Sequence, residues 1–331
     1  MKNPVLPTDE QRPLPFFLAM EEWIARQLPP DDYFFAWRVE PTVICGRNQD
    51  IEKEVNITYC RKNGINIVRR RSGGGCVYAD MNNWMFSYIT PNKEEYTTFG
   101  RYTGMVTEML RSLGFEASAT GRNDIFINMR KVAGNAFYHL PDRSIVHGTM
   151  LVDYNAERMA NAITPSRAKL ESKAVKSVPT HLTCLKAEGL KMTVEDFGAY
   201  AVDFLTHGNK IILGSENIAE IESIEQTYYS TSFIAGRHNR NNNNKDSIQR
   251  HMRIEGVGEF DISITLDKNR RISSLNITGD FLASDSIENT LINKFTGIEY
   301  TDTELHNVID TLKPETVIRG LNRETLLSLL I

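Results

Sequence analysis

The stretch DIFINMRKVAGNAFYHLPDRSIVHGTMLV, residues 124–152, decides the fold. Its runs DIFIN, RKVAGNAF and SIVHGTMLV are short and rich in β-branched and aromatic residues, and each reads as a strand. Leu140-Pro141-Asp142-Arg143 joins the last two as a turn. Proline presets one turn dihedral there, and aspartate can bond its own backbone two residues on.

Outward from this centre, helices and strands alternate irregularly. Upstream, Thr97–Leu113 is predicted as a helix with one apolar stripe: Phe99, Tyr102, Met105, Val106, Met109, Leu110 and Leu113. Gly114 follows as its stop. Strands are expected at 33–38, 42–45, 66–71 and 84–89, and FFLAMEEWIARQL (16–28) reads as an opening helix. Downstream, 155–163, 194–207 and 216–225 fit helices. Between the first two, 165–185 has no clear period and carries Arg167, Lys169, Lys173 and Lys176, which suggests a mobile basic loop. The polar run GRHNRNNNNKDS (236–247) suggests a linker or long turn. Beyond it, 251–267 and 271–281 read as two strands around the turn Lys268-Asn269-Arg270, followed by short helices. The expected class is α+β, with mixed sheets flanked by helices over residues 1–245 and a small α+β domain over 246–331.

The chain has 331 residues, 41% hydrophobic and 24% charged, which is enough to bury a core. A net charge of −4 argues against a nucleic-acid coat. No apolar run approaches the roughly 20 residues that span a bilayer. The cysteines Cys45, Cys60, Cys76 and Cys184 form no CxxC pair. Free thiols in a cytoplasmic, reducing compartment are the expectation.

Three constellations carry candidate chemistry. The first is RRRSGGGCVYAD, residues 69–80. Glycine backbones approach an anion closely because no Cβ intrudes, and arginines add charge-assisted bonds. Alone, the stretch fits a flexible turn between two strands with solvated arginines better than an anion site. It lacks the GK[ST] of a phosphate-binding loop and the GxGxxG of a dinucleotide fold. The second places Asn123 and Asp124 before one strand and Lys131 in the next, followed by the small residues Ala133, Gly134 and Ala136. Small residues leave room for a ligand chain, and an Asn-Asp pair can orient a lysine or hold a magnesium ion. The third is His147-Gly148-Thr149.

In this order and spacing, the three elements resemble the lipoate–protein ligase family. The opening LAMEEWIA, the pair WRVEPTVICGRNQ, the basic segment KLESKAVKSV (169–178) and the closing hairpin ending ITGDF are similar to that family too, so the likeness covers nearly the whole chain. Departures are Cys76 in place of alanine, Ala79 in place of histidine, 81–83 in place of a Gly-Asn segment, Asn128-Met129 in place of an Asp-Gly turn, and Pro179 and Cys184 near the end of the basic loop.

The resemblance implies a biotin/lipoate-ligase-like catalytic domain with the accessory domain of the longer ligases. It implies that lipoate is activated with ATP and Mg²⁺ to lipoyl-AMP and passed to a lysine of an acceptor. Octanoate is expected as a substrate as well, since one methylene discriminates weakly. The implied acceptors are the lipoyl domains of 2-oxoacid dehydrogenase complexes and the glycine-cleavage H protein. By the same resemblance, Arg70, Ser72, Gly73, Gly74, Gly75, Cys76, Val77, Tyr78 and Asn123 take the nucleotide. Lys131 bridges the acyl carbonyl and the α-phosphate, Asp124 organises Lys131 or Mg²⁺, and Gly134, Ala136, His147 and Gly148 line the lipoyl chain. Two alternatives stand beside this reading. One is a lipoyl or octanoyl transferase of the same fold, some of whose relatives use a cysteine nucleophile, which directs attention to Cys76. The other is a non-catalytic lipoate-binding protein.

Overall fold

The computed structural model describes residues 1–92, 94–119, 123–164, 182–236, 247–283 and 287–331. The expected basic loop, except for its last residues, and the expected linker, except for its two end residues, lie outside them. The described chain divides into two compact units. One comprises residues 1–44, 55–68 and 77–230, and the other residues 45–54, 69–76 and 231–331.

In the first unit the strands are β1 (Asn3–Val5), β2 (Tyr33–Trp37), β3 (Thr42–Cys45), β4 (Asn66–Arg69), β5 (Val77–Ala79), β6 (Trp84–Thr90), β7 (Ala117–Ala119), β8 (Asp124–Ile127), β9 (Arg130–Leu140), β10 (Arg143–Met150) and β11 (Lys210–Ile212). The ends of β3 and β4 pass into the second unit. The strands expected in 124–152 are the centre of a six-stranded sheet ordered β2-β6-β10-β9-β8-β7. Every neighbouring pair in it is antiparallel. The Leu140–Arg143 turn sets the long β9–β10 register, which pairs His147 with Ala136 and Thr149 with Gly134. A three-stranded sheet β4-β3-β5 and a parallel pair β1-β11 complete the unit.

Helix Glu95–Ser112 forms where the stripe predicted it, and Gly114 at φ +89° ends it. Its apolar face meets the sheet through Phe99, Tyr102, Val106, Met109 and Leu110, against Phe34, Phe86, Tyr88, Ile125, Ile127 and Phe137. Burying each of these side chains is worth about 1.5–3 kcal/mol. Helix Leu14–Gln27 is buried along almost its whole length. Helix Ser215–Glu225 lies against it, with Trp23 donating to Glu220 at 2.6 Å.

The second unit contains β12 (Ile248–Ile254), β13 (Gly258–Leu266) and β14 (Ile272–Gly279) in one antiparallel sheet. The single strand expected over 251–267 is therefore two. The chain reverses at 255–257, where Gly256 takes φ +86°, a conformation open to glycine without cost. The core is Phe260, Ile262, Ile264, Ile277 and Phe281 packed by Leu305, Ile309, Leu326 and Leu330 of the terminal helices. Among the described residues, no helix is long and apolar enough to cross a membrane.

Candidate active site

In the first unit, Lys131 stands at the start of β9, one residue after its first. The lysine Nζ lies 2.7 Å from Asp124 Oδ1 on β8, with both side chains partly exposed. Gly134 makes this possible. A Cβ there would sit 2.8 Å from Lys131 Nζ and 3.0 Å from its Cε, closer than side chains tolerate. The lysine folds back over the gap that glycine leaves.

Three groups of contacts surround the lysine's strand. Thr183 N–H donates to Lys131 O at 2.9 Å, so the chain returning at Leu182 runs beside the lysine. Asn123 and Asn135 exchange amide bonds: Asn123 Nδ2 donates to Asn135 O at 2.7 Å, and Asn135 Nδ2 to Asn123 O at 2.8 Å. Glu188 accepts from Asn128 and Thr183 and pairs with Arg130. Burial alone would raise the Glu188 carboxyl. The bonds from Thr183 and Asn128 and the Arg130 guanidinium outweigh it, and the pKa lies below the usual glutamate value.

His147, on β10 opposite Ala136, is buried. Its Nδ1 lies 2.9 Å and 3.0 Å from the two carboxylate oxygens of Glu21. Ser87 donates to the same carboxylate at 2.5 Å, and Trp37 Nε1 donates to Ser87 at 2.8 Å. Glu21 and Trp37 escaped the reading of the sequence. Glu21 had a signal: it sits in the apolar register of the opening helix, four residues after Phe17 and three before Ile24. A fully buried carboxylate demands partners, and His147 is one of them.

The glycine-rich stretch belongs to the second unit, and its three arginines have three different tasks. Arg69 is buried and donates to backbone carbonyls of Gly46 (2.7 Å), Gln49 (2.8 Å) and Ile234 (2.9 Å). Arg71 stacks 5.4 Å from the Phe233 ring. Arg70 clasps the loop itself: Nη2 donates to Gly73 O at 2.6 Å and Gly75 O at 2.9 Å, and Nε to Ser72 Oγ at 3.0 Å. Burial pushes its pKa down to about 10, which leaves it charged at neutral pH. Gly74 adopts φ +86°, and its N–H donates to Phe281 O at 3.2 Å. Ser72 O in turn accepts from Arg47 N–H at 2.9 Å. The arginine block thus neutralises and orders loop carbonyls, and in this conformation one of the glycine donors is already engaged.

Val77 and Tyr78 continue into β5, paired with Ile44 and Val43. The Tyr78 side chain is buried, and burial raises its hydroxyl pKa to about 12. Cys76 immediately precedes β5. It is half-buried, its Sγ is 3.3 Å from Cys45 Sγ, and donation to Cys45 together with burial holds its thiol well above the ordinary value. An activated nucleophile needs the opposite shift.

Asp124 has one oxygen on Lys131, and among the described residues no cluster of three or more His, Cys, Asp or Glu is placed to hold a metal. A lone carboxylate fits Mg²⁺ only in its usual nucleotide-bound form, in which phosphates and waters supply the other ligands.

The family of lipoyl protein ligase A/B catalytic domains matches residues 14–206, and that of bacterial lipoate protein ligase C-termini matches 243–330. Lipoate-protein ligase LplJ of Bacillus subtilis is 30% identical over 326 residues, covering 95% of both chains. Among solved structures, P. falciparum LipL1 in complex with lipoate superposes with a TM-score of 0.76 at 20% identity, covering 98% of this chain and 97% of that one. A lipoate-protein ligase A bound with ATP gives a TM-score of 0.61 at 20% identity over 71% of this chain and 99% of that one. Both structures share the fold.

Proposed function

Because this chain belongs to the lipoate–protein ligase family, we propose that it activates lipoate with ATP and transfers the lipoyl group to a lysine of an acceptor protein. The observation that carries the proposal is the ammonium of Lys131, held by Asp124 against the bare face of Gly134 within the matched catalytic region.

The first half-reaction joins two anions. A lipoate carboxylate oxygen attacks the α-phosphorus of ATP, and pyrophosphate leaves. The Lys131 ammonium faces the acyl oxygen and the α-phosphate and offsets the negative charge that develops between them. Asp124 fixes the lysine beforehand, so no reorganisation is needed when charge develops. Arg70 and Ser72 shape the loop from Gly73 to Gly75, and the backbone from there through Cys76, Val77 and Tyr78, with Asn123, contacts the nucleotide. Gly134, Ala136, His147 and Gly148 receive the acyl chain. Mg²⁺, bound to the phosphates with Asp124 as a protein ligand, would neutralise phosphate charge. In the second half-reaction the acceptor amine attacks the acyl carbonyl, the mixed anhydride C–O bond breaks, and AMP departs.

We assign residues 1–245 to the catalytic part and 246–331 to an accessory part. The acceptors are lipoyl domains of 2-oxoacid dehydrogenase complexes and the glycine-cleavage H protein, and octanoate serves beside lipoate. Four cysteines with no disulfide fit a reducing, cytoplasmic setting.

The test is lipoate-dependent ATP–pyrophosphate exchange. The intact protein exchanges label, and Lys131→Ala lowers the rate by about 10²–10³ with an unchanged melting temperature. An intact protein that binds lipoate without exchange would refute activation and leave a binder or a transferase.

A further inference from the structure

Two of the four thiols meet at the root of the glycine-rich loop. Cys45 is fully buried at the end of β3, and Cys76 closes the loop at the start of β5. They are 31 residues apart in sequence, yet their sulfurs lie 3.3 Å from each other. A disulfide requires about 2.05 Å, so a shift of little more than 1 Å would join them. The backbones beside them are already tied, with Arg70 N–H donating to Cys45 O at 2.9 Å and Arg70 Nη2 to Gly75 O at 2.9 Å. The other two cysteines are placed differently. Cys60 faces Ala162 O at 3.7 Å, and Cys184 is buried in the same unit as Cys60.

We propose that Cys45 and Cys76 are a reversible redox pair, oxidised by hydroperoxides to a disulfide that fixes the glycine-rich loop and slows the adenylation step. The effect on adenylation rests on the ligase reading above; the pairing of the thiols does not.

The chemistry balances. Loss of one proton leaves an S–H···S⁻ pair. The hydrogen bond from Cys76 holds the Cys45 thiol below its ordinary range against burial, with the charges of Arg69 and Arg70 acting in the same direction. The thiolate attacks one peroxide oxygen, and the O–O bond breaks. The sulfur becomes a sulfenic acid, while hydroxide leaves and is protonated to water. The second sulfur then attacks the sulfenic sulfur, the S–S bond forms, and the second oxygen departs as water. Two thiols and one hydrogen peroxide thus yield one disulfide and two waters. A small dithiol reverses the change by exchange, becoming a disulfide itself. Because Cys45 is enclosed and Cys76 half-buried, the shared proton passes from Cys76 to Cys45 across the 3.3 Å contact as peroxide approaches, and the sulfur that attacks is that of Cys76.

A disulfide here would bind the loop residue that follows Gly75 to the strand before Gly46. The loop would lose the freedom to readjust around a nucleotide, and a misplacement of about 1 Å can cost up to 10²-fold in rate.

The experiment treats the full chain with hydrogen peroxide and then with dithiothreitol. Intact mass and non-reducing peptide mapping report the bond, and ATP–pyrophosphate exchange reports the loop. Octanoate is the acyl substrate, so that the reductant acts on the protein alone. The expected result is loss of two hydrogens, a linked peptide containing Cys45 and Cys76, and exchange slowed about tenfold or more, with all three reversed by dithiothreitol. In Cys45→Ala the linked peptide is absent, and the ratio of treated to untreated rate returns towards one. Absence of the linked peptide, or its formation without any change in rate, would overturn the proposal. A linked peptide in a protein that shows no exchange even when reduced would refute the ligase reading and leave the thiol pair standing.

Discussion

Gly134 bears no Cβ, and the position of the candidate catalytic ammonium depends on that absence. An alanine there would place a methyl 2.8 Å from Lys131 Nζ. The group it would strike is the free end of a flexible side chain, so the fold accommodates it and the lysine moves. We therefore expect Gly134→Ala to keep its unfolding midpoint while exchange falls by about 10–100-fold, as for other small displacements of a reacting group. Equal activity in the two proteins would show that the lysine does not act from this position. Residue identity alone had suggested that Lys131, Asp124 and Gly134 act together. It could not say that Asp124 holds the lysine directly, because that contact crosses two strands with a bulge between Ile125 and Phe126. Nor could it divide the three arginines. Arg69 and Arg71 take their neighbours from residues 46–49 and 233–235, which are remote in sequence and adjacent only after folding, whereas Arg70 takes its own from residues 72–75 of the same loop.

The β8–β9 hairpin is the element that presents the lysine. Its two turn residues, Asn128 and Met129, take φ +49° and +64°. Such a turn favours asparagine followed by glycine, and the sequence places methionine second. Met129 is 85% exposed, so its side chain gains nothing by packing in exchange for the backbone cost. Met129→Gly should stabilise the protein by about 1 kcal/mol, read as a raised urea midpoint; a fall would mean that Met129 makes an unrecognised contact. The base of the hairpin depends on Glu188, whose folded pKa is held below the ordinary 4.5. A depressed carboxylate contributes stability that is complete above its unfolded pKa and is lost as pH falls through the folded one. The native protein should lose stability below about pH 5 more steeply than Glu188→Gln, whose amide does not titrate. Parallel acid-unfolding curves would remove Glu188 from the account. The strands themselves were legible from the sequence because turn chemistry and period agree over 124–152. The strand break at 255–257 was not, because Gly256 lies in an otherwise continuous alternating run.

At the scale of the molecule, the glycine-rich loop folds with chain far beyond it. Gly74 N–H donates to Phe281 O, Asn48 Nδ2 donates to the same oxygen at 3.3 Å, and Gly279 N–H donates to Asn48 O at 2.9 Å. A Cβ on Gly73 would sit 2.5 Å from Phe281 O, so the two backbones touch. Residues 246–331 thus do more than append a domain. A chain ending at residue 245 should retain the six-stranded sheet, with amide protection over 124–150, yet lose protection over 69–76. Its ATP–pyrophosphate exchange should drop about tenfold or more. Full exchange by the shortened chain would show that the loop orders itself.

By itself the sequence determined most of the elements, the family and the candidate for the reactive lysine. Those depend on local period, turn residues and the spacing of short motifs along the chain. Tertiary structure alone decided what these polar groups touch: Asp124 on Lys131, Glu21 on His147, Arg69 on the carbonyls of Gly46, Gln49 and Ile234, and Cys45 on Cys76. The reason is physical. Burial makes an ion or a polar hydrogen costly unless it is partnered, and the partners are supplied by whichever segments the core brings together, not by neighbours in sequence.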